Sequence, residues 1–168
     1  MKTDFFARPV RFHKESGQGE ILITKAWEKL DFCQTLSVLD YICDRKHTEK
    51  AHNVFCPVGS LPGVLVGGSG LMMAMPAVAS AIEGNPAGFC AACEKLGGEK
   101  TGQGDLGYRL PVFPDLFMEL KFYFGDEEFP PQLTLLWDEN SLSFVRYETL
   151  YYIAGALGKM LLRLFANM

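Results

Sequence analysis

Between positions 116 and 124 the side chains alternate with a period of two. Leu116, Met118, Leu120, Phe122 and Phe124 fall on one face, and Phe117, Glu119, Lys121 and Tyr123 on the other. That period is what a strand with one buried face requires. Residues 133–137 have the composition of an antiparallel partner, and the stretch 125–132 between them is too long for a two-residue turn. Residues 10–13 and 21–24 read as two shorter strands around the turn-forming Ser16-Gly17-Gln18-Gly19. Residues 54–56 and 108–112 are extended as well; Pro111 and Pro114 place the latter at a sheet edge or a sharp corner.

The period changes to helical in four places. Leu36, Leu39 and Cys43 mark one face of a helix over 35–45. A second helix runs within 71–82, with Pro76 kinking it or moving its start, and Gly84 stopping it. Asn85-Pro86 opens a third, since Asn caps free amides and Pro suits the first helical position; Gly97-Gly98 closes it. The polar, Gly-rich stretch 98–107 reads as a loop. From 146 to 165, Tyr147, Leu150, Ala154, Leu157, Leu161 and Phe165 form a stripe that predicts a long C-terminal helix covering the sheet. These elements predict an α+β fold, with a mainly antiparallel sheet packed by the 35–45 helix and the C-terminal helix. No repeat or linker interrupts the 168 residues, so a single globular domain over 1–168 is expected.

Composition narrows the function classes. Hydrophobic residues make up 48% of the chain and charged residues 21%, which suits a packed core rather than disorder. A net charge of −4, with Lys and Arg thinly spread, leaves no basic stripe for nucleic acid. Residues 53–82 carry no charged side chain, but Pro57, Pro62, Pro76 and five glycines break the segment. It reads as buried loop and core helix, not a membrane span. The five cysteines and the absence of an apolar export segment in residues 1–10 lead to an expectation of a soluble cytoplasmic protein with reduced thiols.

Candidate chemistry concentrates in Asp126-Glu127-Glu128-Phe129, followed by Pro130-Pro131. Three adjacent carboxylates repel unless they are solvated, bonded to amides or paired with cations. Two uses stand beside each other. One is architectural: a carboxylate bonding backbone amides holds the connection, with Phe129 buried as its anchor. The other is a binding or catalytic site, because hard cations favour oxygen ligands and a raised carboxyl pKa serves acid–base work. Asp138 joins the candidate set at the far end of the partner strand, too distant for a dyad with Asp126. Cys90-Ala91-Ala92-Cys93 has redox spacing but no thioredoxin-like strand before it, so both thiols are expected to pack as small apolar groups. His47, His52, Cys56, Cys90 and Cys93 match no standard zinc spacing. Residues 64–70, Val-Leu-Val-Gly-Gly-Ser-Gly, hint at a phosphate-cradling loop but lack its fingerprint and read as a flexible turn.

Several strings together carry a family resemblance. Leu110-Pro111-Val112-Phe113-Pro114 precedes the strand ending in Gly125-Asp126-Glu127-Glu128-Phe129-Pro130; Leu136-Trp137-Asp138 and the helix near Glu148 follow, with Leu39-Asp40-Tyr41, Leu96-Gly97-Gly98 and Gly104-Asp105 upstream. Over roughly residues 35–165 the chain resembles the uncharacterised prokaryotic family called the domain of unknown function numbered 3786. It departs from the family pattern at Asp40, where His is frequent, and at Trp137, where Phe is frequent. The resemblance implies occurrence in anaerobes and an association with corrinoid and iron–sulfur proteins, hence an accessory role. It assigns no reaction. The chain has no cluster-binding cysteine array, so iron–sulfur work would need a partner. The leading expectation is a non-enzymatic accessory or binding module linked to a corrinoid or iron–sulfur protein. The alternative is a small metal-dependent or acid–base enzyme using Asp126-Glu127-Glu128.

Overall fold

The alternating segment at 116–123 forms the central strand of a five-stranded sheet, and its apolar face, Leu116, Met118, Leu120 and Phe122, is entirely buried. The structure is a computed structural model that describes residues 2–23, 25–46, 48–63 and 75–166. The chain begins with an antiparallel meander of β1 (Lys2–Phe5), β2 (Arg8–Phe12), β3 (Gly19–Ile23) and β4 (Ala26–Lys29), paired in sequence order. Helix α1 (Phe32–Asp44) follows, then the two-residue strand β5 (Phe55–Cys56), a turn of 3-10 helix (Val58–Ser60), α2 (Met75–Gly84) and α3 (Pro86–Lys95). The second sheet is completed by β6 (Glu99–Thr101), β7 (Leu106–Phe113), β8 (Leu116–Tyr123) and β9 (Gln132–Asp138), in the antiparallel order β5-β9-β8-β7-β6. Helix α4 (Tyr147–Ala166) ends the chain. The fold is α+β with antiparallel sheets, as the sequence patterns predict.

Local chemistry explains the boundaries. Helix α1 starts three residues before the expected position because Asp31 and Gln34 form a capping box: each side chain accepts the other residue's backbone N–H. Asn85 accepts the Gly88 N–H at 2.9 Å and Pro86 occupies the first turn of α3, as its sequence requires. Pro76 stands in the first turn of α2, where it breaks no helical bond. Pro111 lies in β7 just past the last pair with β6, Arg109–Glu99, so its missing N–H costs that ladder nothing. Pro114-Asp115 then makes the tight corner into β8.

Two expectations need correction. The Gly-rich stretch after α3 is not all loop: Glu99–Thr101 pairs with β7 as a short, charged edge strand. The N-terminal region contains four strands, not two. On the second sheet α2 packs against β9 and α3 against β7, while α4 packs on α1, α2 and α3 and lines a hollow over β9 with Leu150, Tyr151 and Ala154 facing Leu133, Leu135 and Trp137. Helix α1 reaches the sheet through Tyr41, whose ring stacks on Phe113 with centroids 4.0 Å apart. Its Asp40 accepts the Arg146 N–H at 2.8 Å and the Thr149 hydroxyl, fastening the start of α4. Buried residues from both sheets and all four helices belong to one hydrophobic cluster.

Candidate functional site

The β8–β9 ladder ends at the pair Tyr123–Gln132, leaving residues 124–131 as the connection. Backbone amides along its first half meet carboxylates. Asp105 accepts the Phe124 N–H at 2.8 Å, and Glu83, near the end of α2, accepts the Gly125 N–H at 2.9 Å. Asp126 Oδ1 accepts from both Glu128 and Phe129 at 2.8 Å, while the Asp126 N–H donates to the Phe129 carbonyl. This is an Asx-type turn closed on itself. The two amides stabilise the anion, so the Asp126 carboxyl lies below the ordinary aspartate range. A carboxylate held this way is unsuited to acid–base work near neutral pH. Gly125 is required by close approach: a Cβ there would stand 2.9 Å from Glu83 Oε1 and 3.0 Å from the Pro131 nitrogen.

The turn leaves the remaining groups in solvent. Glu127 and Glu128 are exposed, and their side chains make no hydrogen bond or ion pair among the described residues. Phe129 is not the buried anchor expected of it; it is 60% exposed. Two further aromatics, Tyr123 and Phe124, are each 45% exposed. Phe124 leaves the buried face because β8 stops before it; its ring rests edge-on against Phe122, centroids 5.1 Å apart. An open hollow lined by Glu83 and residues 125–131 borders this acidic, aromatic surface.

Asp138 stands at the other end of β9, separated from the connection by about 20 Å of strand. It is fully buried. Its oxygens accept the N–H groups of Asn53 at 2.7 Å and His52 at 3.2 Å, and its carbonyl accepts the Ser141 hydroxyl. Asn53 has φ +60°, a conformation that a neighbouring carboxylate helps to hold. Asp138 therefore anchors the chain ahead of β5 and has no part in the acidic surface. Sequence reading missed Glu83 and Asp105, which contact the connection from 42 and 19 residues away. The Gly104-Asp105 string was a signal for the second, because Gly104 adopts φ +68° beside β8 and presents the next residue to its end.

The other motifs do not assemble into sites. Cys90 and Cys93 are free thiols in the body of α3, and burial, with Cys90 and Glu94 nearby, pushes the Cys93 thiol well above its usual range. His52 pairs with Glu139 at 2.8 Å. His47 and the Gly-rich 64–70 segment lie outside the described residues. Among the described residues no three His, Cys, Asp or Glu side chains converge as metal ligands, and no helix is long and apolar enough to cross a membrane.

A family model described as a domain of unknown function (DUF3786) matches residues 2–160. The chain belongs to this family. The match extends to the N-terminal sheet, beyond the region that carries the resemblance in the sequence. No curated protein and no solved structure matches the chain. The acidic string of this chain is thus the self-closed turn between β8 and β9.

Proposed function

We propose that this chain is a non-enzymatic accessory module that docks a partner protein through the β8–β9 connection. The observation that carries the reading is a contrast within eight residues. Five backbone amides of the connection are bonded, four to the carboxylates of Asp105, Glu83 and Asp126 and one to the Phe129 carbonyl, so its shape is set in advance. Yet the same connection holds two aromatic rings, Phe124 and Phe129, and two carboxylates at the surface, with the half-exposed Tyr123 at the strand end beside them. Pre-shaped loops lose little entropy on association, and exposed aromatics are the side chains that dominate interface energetics. The acidic rim fits a partner with a basic surface. The family resemblance directs the choice of partner to corrinoid and iron–sulfur proteins of anaerobes.

The test is direct binding of the full chain to a corrinoid protein and to an iron–sulfur protein by biolayer interferometry. Phe129→Ala should weaken binding by about tenfold or more. Glu127→Gln with Glu128→Gln should mainly slow association and flatten its salt dependence. Neither should lower the melting temperature. Binding indifferent to both changes would refute the docking surface. A divalent-cation rise in melting temperature that each carboxylate substitution abolishes would instead favour the metal-dependent enzyme.

A further inference from the structure

A second concave site shares no residue with the acidic connection. Where the N-terminal sheet meets the start of α1 and the ends of α3 and α4, a cleft of about 480 Å³ opens. Small-molecule sites fall in the range of roughly 300–1,000 Å³. Its apolar lining comes from Ile21, Ile23, Leu96, Met160 and Leu164. Its charged lining comprises Arg8, Lys29, Lys95, Lys159 and Arg163 against Glu28 and Asp31, an excess of three positive charges in a chain whose net charge is −4.

The ion pairs show which cations are already satisfied. Lys159 pairs with Asp31 at 3.0 Å, and Arg163 meets both oxygens of Glu28. Arg8 donates to the Lys95 carbonyl, covering the negative end of α3 that would otherwise repel an anion. Lys29 and Lys95 have no side-chain partner among the described residues. The amide nitrogen of Gln34 is also unused, because the capping box engages only its oxygen. Like charges gathered around a partly desolvated hollow concentrate the field there.

We propose that this cleft binds a small organic anion: a carboxylate or phosphate ester whose apolar body lies on the half-buried Ile23 and Leu164 beside Met160 while its charge meets Lys29, Lys95 and Arg8. A bare inorganic anion would leave the apolar floor uncovered, and a neutral apolar molecule would leave the cations uncompensated. Both parts are needed.

Isothermal titration calorimetry of the full chain against octanoate, octyl phosphate, 1-octanol and inorganic phosphate tests this. One or both anionic amphiphiles should saturate at one per chain, about tenfold or more tighter than 1-octanol and inorganic phosphate. Which of the two binds tighter identifies the head group. The Lys29→Ala/Lys95→Ala double variant should retain its melting temperature, since both side chains are exposed, and lose about tenfold in affinity. Ile23→Trp, which fills the cleft, should abolish binding. The proposal fails if neither amphiphile saturates, if 1-octanol binds as well as octanoate, or if the double variant binds like the unaltered chain.

Discussion

A carboxylate that accepts two amide hydrogens is held in its charged form, and at Asp126 that state sets a pH dependence. The folded pKa lies below the ordinary 3.8. The stabilisation it brings is therefore complete above that value and is lost as pH falls through the lower folded value. Asp126→Asn should lower the melting temperature at pH 7, and the gap from the unaltered chain should close on acidification below about pH 4. Differential scanning calorimetry across pH 2–7, in steps of about one unit, measures this. Asp138 makes a different demand because it is buried. Asp138→Ala strands two N–H groups on residues 52 and 53 and should cost about 1–3 kcal/mol in urea unfolding, with Asn53 amide exchange accelerated. The Asx turn at Asp126 was legible because its partners sit two and three residues along. The Asp138 anchor was not, because its partners sit 85 and 86 residues upstream and nothing in the local sequence marks them.

Among the elements, those with strong internal signals were readable and those defined by a distant neighbour were not. The period of two at β8, the Asn-Pro start of α3 and the long stripe of α4 each state their own structure. Strands β4 and β6 do not: they are four and three residues long, mostly charged or exposed, and are strands only because β3 and β7 pair with them. Helix α4 is central despite its position at the chain end. Leu150, Ile153, Ala156, Leu157 and Leu161 are at most 1% exposed. Leu157→Ala should cost about 2–5 kcal/mol, read from chemical denaturation. A chain truncated after Tyr147 should be insoluble; a truncated form that unfolds cooperatively would contradict the packing described. At the connection, Gly125→Ala should displace Glu83 or Pro131 and accelerate amide exchange at Gly125 and Phe124.

At the scale of the whole molecule, the N-terminal sheet is part of the same core as the rest. Phe5, Phe6, Val10 and Ile21 are at most 2% exposed, and Phe5 packs on Phe113 with ring centroids 5.2 Å apart. A fragment beginning at Asp31 should lose cooperative unfolding by calorimetry, because it uncovers Phe113 and the face of β7 that receives Phe5 and Phe6. The sequence shows this sheet only faintly, as its alternation is interrupted by charges and its buried residues are completed from elsewhere. The joint itself is unusual. Phe6 and Ala7 adopt φ +49° and +52°, the Phe6 N–H donates to the Val112 carbonyl at 3.0 Å, and a Cβ on Gly97 would lie 2.6 Å from that of Ala7. This has a consequence for biosynthesis. Phe5 and Phe6 leave the ribosome about a hundred residues before the strand that receives them is completed at residue 113. The hairpin must wait, greasy and unseated, while that stretch is made. Contacts this remote in sequence are slow to form and invite aggregation before they do. The step that seats this hairpin against β7 is where a growing chain would be most exposed to misfolding, and where a chaperone would have most to protect.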